Sequence, residues 1–292
     1  MQGPIARYLD GGERLHLQHG PIDLIVGADA VTSSARFEAF EAATQRFDGI
    51  LSGLVSELSA LRSPVQAETP DLFDTVAQRM LYATRPLCDA HFLTPMIAVA
   101  GSVADEVLDA MRAAVSLRRA YVNNGGDIAL FLTKGSEFSL AMAGHGGSDL
   151  GRIHIHDDQG VGGVATSGTK GRSLSFGIAD SVTVLAKSAA AADVAATLVA
   201  NAVDLPGHPG VRRQPACELD PDSDLGVREV VTFVPALTSA EIYSALRRGQ
   251  LMARRLYAQG LILGAALFLQ GEVAIEGQTI MNRSKNMELK YA

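Results

Sequence analysis

The sequence has no tryptophan and only two cysteines among its 292 residues. Cys88 and Cys217 cannot build a disulfide framework in a chain of this length, and they do not have the spacing of metal ligands. A reducing compartment suits such a composition. We therefore expect a cytoplasmic protein with two inert thiols.

Long apolar runs and an excess of positive charge are also missing. The longest apolar stretches, such as residues 261–269, are much shorter than a membrane span, and residues 1–12 contain no apolar signal core. The formal net charge of −7 argues against a broad nucleic-acid-binding surface. We expect neither a membrane nor a nucleic acid as partner. Local basic groups such as Arg118 and Arg119 remain candidates for holding a phosphate.

Hydrophobic residues make up 47% of the chain and charged residues 20%, which is typical of a globular protein with a large core. Short or alternating apolar runs indicate β-strands. Strands are predicted at residues 13–18, 22–26, 128–132, 137–142, 152–156, 163–166, 174–177, 182–186 and 230–234, with one or two more in 261–276.

Apolar residues at three- and four-residue spacing indicate helices. Helices are predicted from Ser33 or Ser34 to residue 61, and at residues 71–83, 94–115, 189–203 and 239–259. Thr94 followed by Pro95 is typical of a helix N-cap. Strands, then long helices, then strands again predict an α+β fold in which helices cover one face of an antiparallel sheet. We expect a single domain over residues 1–292.

A glycine-rich turn follows one helix and enters a strand. It consists of Asn123, Asn124, Gly125, Gly126 and Asp127. The two glycines permit positive φ angles and leave backbone N–H groups uncovered, so the turn could receive a phosphate or a carbonyl group. Any tight helix-to-strand corner has the same composition, and both interpretations stay open.

A second polar segment ends the strand at residues 163–166. Thr166, Ser167 and Gly168 are followed closely by Lys170 and Arg172. Hydroxyl groups and cations close together suit an anionic ligand. The alternative is a polar hairpin loop whose basic side chains are merely solvated.

Asp193 lies in a helix that is otherwise almost entirely apolar. Such a helix is usually buried, and a buried carboxylate needs a cation or several hydrogen-bond donors. Thr197 lies one turn further along the same face. A carboxylate and a hydroxyl are hard oxygen ligands suited to Mg²⁺. The alternative is that Asp193 serves the N-terminus of its own helix.

His154 and His156 alternate along one predicted strand, which could make a transition-metal site. Two solvated imidazoles at a strand edge are the more common outcome of this pattern. No Gly-x-Ser-x-Gly elbow, P-loop or Rossmann fingerprint occurs in the sequence.

Together, the order and spacing of these motifs resemble the ApbE superfamily. The matching segments are residues 98–105, 123–127, 165–168 and 192–197. Characterised members are Mg²⁺-dependent enzymes that transfer FMN from FAD to a threonine of a target protein. The whole chain is most similar to a short, uncharacterised branch of the superfamily. The resemblance implies an ApbE-like, T-fold-related α+β domain.

The resemblance also implies roles for particular residues. Asp193 and Thr197 match the metal-binding aspartate and threonine of the family, and the backbone carbonyl of Val99 matches its third metal contact. The cofactor contacts that it implies are Asn124, Gly125, Gly126, Asp127, Thr166, Ser167 and Gly168.

Two departures from the transferases bear on activity. Ala100 stands where they carry a lysine, and residues 169–180 lack their His-x-Ile-Asp-Pro-x-Thr-Gly segment. These departures argue against FMN transfer. We expect a Mg²⁺-assisted pocket for FAD, FMN or another nucleotide-like or heterocyclic metabolite. The alternative is a non-catalytic accessory or scaffold protein with a decayed pocket. A homo-oligomer suits this fold, but the sequence gives no stoichiometry.

Overall fold

Antiparallel strands form the centre of the structure, a computed structural model that describes residues 3–143, 149–171, 173–277 and 281–282. The strands are β1 (Ile5–Leu9), β2 (Arg14–His19), β3 (Ile22–Ala30), β4 (Leu117–Asn124), β5 (Asp127–Leu132), β6 (Glu137–Ala143), β7 (Asp149–His156), β8 (Gly163–Ser167), β9 (Ser181–Ala186), β10 (Arg212–Pro215), β11 (Glu229–Phe233), β12 (Gly264–Leu269), β13 (Glu272–Gly277) and β14 (Met281–Asn282).

Nine strands form the main sheet in the order β1-β2-β3-β4-β5-β8-β9-β12-β13. Each of its pairings is antiparallel, as the sequence predicted. A smaller sheet has the order β14-β7-β6, and β10 pairs with β11 in a two-stranded ribbon. The strands predicted between residues 128 and 186 therefore do not form one continuous meander, because β6 and β7 leave the main sheet.

Helices cover one face of the main sheet. The helices are α1 (Ser33–Phe47), α2 (Ile50–Ser56), α3 (Leu58–Leu61), α4 (Thr75–Thr84), α5 (Val99–Ala114), α6 (Ala189–Ala202), α7 (Ala216–Leu219) and α8 (Ser239–Ala258). The long ones are α1, α5, α6 and α8. Helix α1 packs against α5, α5 against α6, and α6 against α8. Helices α5 and α6 therefore occupy the middle of this layer.

The side chains of one strand alternate between two cores. In β12, Leu267 and Leu269 pack among the helices, whereas Phe268 packs on the other face with Ile153 and Ile155 of the smaller sheet. This alternation follows from the two-residue period of a β-strand. The molecule thus has three layers, with helices on one face of the main sheet and the small sheet on the other.

The single helix predicted to end at residue 61 is wrong. Helix α1 ends at Phe47, and α2 begins after Gly49, whose φ of 93° breaks the helical path. Apolar spacing continues across the break because α2 packs against the same core. The N-cap of α1 is Thr32, whose hydroxyl accepts the N–H of Ala35 at 3.1 Å, and not Ser33 or Ser34.

The strand predicted at residues 174–177 is also wrong. Phe176 donates its backbone N–H to Asn201 Oδ1 at 2.9 Å, and Gly177 lies against the backbone of α6. A short apolar run cannot be told from a strand by periodicity alone. Residues 205–226, where the sequence predicted neither helix nor strand, contain strand β10 and the short helix α7.

Candidate functional site

The N-terminal ends of α5 and α6 meet, and each helix carries a carboxylate that accepts hydrogen bonds from the other. Asp105 of α5 accepts the backbone N–H groups of Ala189 and Ala190 at 3.0 and 2.9 Å. Asp193 of α6 accepts the N–H of Gly101 at 3.0 Å. The first N–H groups of a helix have no partner within the helix. Asp193 therefore serves the N-terminus of α5, and not that of its own helix as one interpretation of the sequence expected.

The glycine at position 101 allows these helix ends to approach each other. A Cβ atom at Gly101 would overlap the carbonyl group of Ala189. Ser188 provides the conventional N-cap of α6, since its hydroxyl accepts the N–H of Ala191 at 3.2 Å. The small residues at the start of α5 thus have a packing role, which places Asp193 against the backbone of α5.

Burial raises the pKa of both carboxyl groups. The pKa of Asp105 rises to about 6, although the N–H groups of Ala190 and Ala189 act in the opposite direction. Burial raises the pKa of Asp193 well above its ordinary value, and the nearby negative charge of Asp127 raises it further. An ionised Asp193 therefore lacks full compensation from the groups around it.

The glycine-rich turn between β4 and β5 is attached to the same helix end. Asn124 donates from its side-chain amide to the carbonyl of Ala100 at 3.1 Å. Asn123 Oδ1 accepts the N–H of Gly126 at 2.9 Å, and Gly126 has a φ of 118°. The positive φ angles predicted for this turn are therefore present, but the turn joins two antiparallel strands and not a helix to a strand, as was expected. It holds Asp127 at the start of β5.

The end of β8 lies beside α6. Thr197 donates its hydroxyl to Ser167 Oγ at 3.3 Å, and the backbone N–H of Thr166 donates to Asp127 Oδ1 at 3.3 Å. Gly168 follows with a φ of 149°, and a side chain there would meet the carbonyl of Asp180. The two polar segments that the sequence singled out therefore meet at Asp127 and α6.

A cavity of about 630 Å³ opens at this place. Val99, Asp127, Asp193 and Thr197 belong to its lining. Apolar side chains supply much of the remaining wall, among them Phe92, Met96, Ile97, Leu174, Phe176 and Met252. Of the residues predicted to contact a cofactor, Asp127 belongs to this described lining and the others do not, so their contact with a ligand stays a prediction.

The loops that form the outer wall could not be predicted from the sequence. Thr94 donates its hydroxyl to Asp224, and it makes no side-chain cap for the helical segment that follows. The guanidinium carbon of Arg228 lies 3.2 Å from the ring centroid of Phe92. These contacts join segments that are far apart in the sequence. Thr94 is therefore the N-cap residue and Pro95 the first residue of this segment, as the sequence predicted, but the Thr94 hydroxyl joins the two loops instead of capping a backbone N–H.

The oxygen atoms around Asp193 fit a hard cation. The Asp193 carboxylate, the Thr197 hydroxyl and the backbone of Val99 line one cavity, and carboxylate, hydroxyl and carbonyl oxygens suit Mg²⁺. A cation would also offset the repulsion between Asp193 and Asp127. The described residues contain no group of three or more His, Cys, Asp or Glu side chains arranged to hold a metal, so a cation here would also need hydroxyl, carbonyl or water ligands.

Other candidate residues lie elsewhere. His154 and His156 are on β7 in the smaller sheet, where His156 Nδ1 is 3.2 Å from Glu137 Oε2. Arg118 and Arg119 both pair with Asp29.

Lys170 pairs with Asp180 at 2.9 Å, and Arg172 lies outside the described residues. The predicted anion site after β8 therefore has one cation that is already paired. Among the helices that the structure describes, none has the length and apolar character needed to cross a membrane.

Comparison with known proteins agrees with the motif pattern. A family model described as "AbpE bacteria" matches residues 6–275, which confirms the predicted resemblance. A UPF0280 protein of Methanothrix thermoacetophila is 39% identical over 132 residues, covering 44% of this chain and 52% of the relative. A UPF0280 protein of Methanococcus vannielii is 41% identical over 116 residues, covering 37% of this chain and 44% of the relative. The chain thus spans about half the length of these curated relatives.

A solved structure is similar over most of the chain. The flavinyl transferase ApbE of Pseudomonas stutzeri, in its apo form, matches 94% of this chain and 93% of its own, with a TM-score of 0.48 and 11% sequence identity.

Proposed function

The chain belongs to the AbpE bacteria family, and we propose that its cavity binds a flavin or another nucleotide-like or heterocyclic metabolite with the help of Mg²⁺. The observation that carries this proposal is the Asp193 carboxylate. It lines the cavity, as Asp127 does, and is half-buried. Its pKa is raised by desolvation and by the negative charge of Asp127. A cation is the simplest source of the missing positive charge.

The form of the cavity supports a flat organic ligand. Its volume of about 630 Å³ falls within the usual range for small-molecule sites, roughly 300–1,000 Å³. Phe92 and Phe176 contribute aromatic surface to the lining. Aromatic and aliphatic walls with a few polar groups are typical of sites for heterocycles.

The residues at the helix ends would have distinct roles. Asp193, Thr197 and the carbonyl of Val99 would hold the cation, which when bound would polarise a phosphoryl or carbonyl oxygen of the ligand. Asn124 fixes the carbonyl of Ala100 and so keeps the start of α5 in place. Asp127 would face the ligand from the start of β5.

The remaining predicted contacts are secondary to these. Gly125 and Gly126 would let the backbone approach the ligand, although the N–H of Gly126 is already donated to Asn123 Oδ1. Thr166, Ser167 and Gly168 would contact the ligand from the end of β8. Each of these assignments stays a prediction.

A non-catalytic accessory role is the second candidate, and the residue that favours it is Ala100. The ApbE transferases that the sequence resembles carry a lysine at the matching position. Residues 169–180 also lack the His-x-Ile-Asp-Pro-x-Thr-Gly segment of those enzymes. A protein of this kind would keep the fold and lose the affinity for ligand and cation.

Thermal-shift titration with Mg²⁺, FAD and FMN distinguishes the two. We expect the melting temperature of the wild type to rise with Mg²⁺ and a flavin together, because ligands that bind only the folded state stabilise it. The Asp193→Ala variant should lose this response. Identical curves for both proteins, with no response to any of the three ligands, would end the proposal and leave the accessory role.

A further inference from the structure

We propose that Arg62, His91 and Arg255 form an anion-binding cluster at the mouth of the cavity, and that its ligand is a flat metabolite with a terminal phosphate or carboxylate group. We call these three residues the mouth cluster. The inference rests on the proposed ligand cavity, but it requires neither Mg²⁺ nor a flavin.

Two members of the mouth cluster line the cavity directly. Arg62 follows α3 and His91 precedes the first turn before α5, and both belong to the lining. The segments that carry them run side by side, since Val65 donates its backbone N–H to the carbonyl of Leu93 at 2.8 Å. Arg62 is exposed and His91 is half-buried, so both are accessible from the solvent side.

The third member comes from α8. Met252 belongs to the cavity lining, and Arg255 lies three residues further along, on the same side of the helix. The pKa of His91 is lowered by burial and by the positive charge of Arg255. Arg255 therefore lies near the imidazole, although it is not itself part of the cavity wall.

None of the three side chains has a hydrogen-bond or ion-pair partner in the part of the chain that the structure describes. By contrast, Arg46 and Arg79 are paired with Glu106. The charge of Arg255 and a protonated His91 repel each other, in a chain with a net charge of −7, and Arg62 brings a second guanidinium group to the same cavity. An anion between them would remove this repulsion and accept charge-assisted hydrogen bonds from the guanidinium groups.

The rest of the ionisable lining is acidic. Asp127, Asp193, Asp220, Asp222 and Asp224 belong to the described wall, together with only Arg62 and His91 as basic groups. A ligand with one anionic group would be repelled along the acidic wall and attracted at the mouth cluster. The charge distribution thus orients the ligand, with its ring in the cavity and its anionic group outward.

Isothermal titration with three small aromatic probes tests the proposal. Phenyl phosphate and benzoate each combine a flat ring with one kind of anionic group, and benzyl alcohol is the neutral match. The titrations are run in EDTA, so that no divalent cation takes part. The variants are Arg62→Gln and Arg255→Gln. The matched control is Arg247→Gln, which removes the same charge from an exposed position of α8.

We expect the wild type to bind at least one anionic probe more tightly than benzyl alcohol, and the preferred probe identifies phosphate or carboxylate as the natural group. Each variant of the mouth cluster should bind that probe roughly tenfold more weakly, the usual effect of losing one hydrogen bond to a charged group. Affinity for benzyl alcohol, and the affinities of Arg247→Gln, should not change.

Equal affinity of the wild type for charged and neutral probes would overturn the proposal. Wild-type affinity in both cluster variants, or an equal loss in Arg247→Gln, would also overturn it. The result is independent of the metal site, because Asp193→Ala should keep the preference for the anionic probe. Loss of the flavin and Mg²⁺ response with this preference intact would refute only the proposed function.

Discussion

Asp105 is buried and Asp193 is half-buried, and the surroundings of these two carboxylates of one helix pair differ. Both oxygens of Asp105 accept backbone N–H groups of α6. Asp193 accepts the N–H of Gly101, and the backbone of Ala100 also favours its charged form, but Asp127 is a neighbour of the same charge. Hydrogen bonds from a helix N-terminus stabilise a carboxylate, whereas a like charge destabilises it. Asp105 is therefore a structural cap, and Asp193 is the group from which we expect cation binding.

The cap at Asp105 predicts a specific dependence of stability on pH. Its pKa rises from an ordinary value of 3.8 to about 6 in the folded protein, so the folded state holds the proton more tightly than the unfolded state. The contribution of this group to the free energy of unfolding is complete below the unfolded pKa. It is lost as pH rises through the folded pKa, by about 3 kcal/mol in all.

Urea unfolding of the wild type and Asp105→Asn between pH 4 and pH 7 measures this effect. Other carboxylates titrate in both proteins, so the difference between their free energies of unfolding isolates Asp105. We expect the wild type to lose stability relative to the variant as pH rises across this window. A difference that is constant with pH, or one that changes in favour of the wild type, would contradict the assignment.

Replacing a hydrogen-bonded polar group inside a protein usually lowers stability, but we expect the opposite at Asp193. Asp193→Asn removes a charge that burial and Asp127 disfavour, and it keeps an oxygen that can accept the N–H of Gly101. Without divalent cations at pH 7, its melting temperature should equal or exceed that of the wild type. With Mg²⁺, only the wild type should gain stability. A variant that melts well below the wild type in EDTA would show that the charge is already compensated in the protein.

At the scale of elements, the contact between α5 and α6 sets the position of the site. Gly101 allows the contact because a side chain there would overlap the backbone at Ala189. Alanine is normally the better helix former by about 1 kcal/mol, so an exposed glycine in a helix is usually stabilised by this substitution. At Gly101, crowding against Ala189 should make the same substitution destabilising.

We therefore expect Gly101→Ala to lower the free energy of unfolding by roughly 1–3 kcal/mol, the usual cost of overpacking. It should also weaken the response to Mg²⁺, because the helix end that carries Val99 is displaced from Asp193. Chemical unfolding with and without Mg²⁺ measures both effects. A stabilised variant would mean that the two helices are not in close contact at this point.

The elements with long, regular apolar patterns could be predicted from the sequence, as α5, α6 and α8 illustrate. The break at Gly49 could not, because both flanking helices pack on one core and keep the apolar spacing. Strand β4 (Leu117–Asn124) was missed, since no strand was predicted between residues 26 and 128. Local patterns do not show where a helix ends when tertiary packing determines its boundary.

At the scale of the molecule, the cavity and the small sheet lie on opposite faces of the main sheet. Ile153 and Ile155 are almost completely buried, at 1% and 0% exposure, between the two sheets. Ile155→Ala should lower the free energy of unfolding by about 2–5 kcal/mol. It should leave the Mg²⁺ and probe affinities of the folded protein unchanged, as measured by titration at low temperature. Altered affinity would show that the two faces are coupled.

The long-range contacts of the molecule determine which part of the site could be predicted from the sequence. Asp193, Thr197 and Asp127 were identified because each stands out against its local pattern. The wall made by Phe92, Asp224 and their neighbours was missed. It depends on contacts between segments that are distant in sequence, such as Thr94 with Asp224, and these segments have no regular pattern of their own.

The central claim is that Asp193 marks a cation site in the cavity between α5 and α6. Anomalous diffraction from crystals soaked in Mn²⁺, as a substitute for Mg²⁺, tests it most directly. We predict an anomalous peak within coordination distance of the Asp193 carboxylate, the Thr197 hydroxyl and the Val99 carbonyl, and no such peak in Asp193→Asn. No peak in the wild-type cavity, or a peak only beside His154 and His156, would contradict the claim.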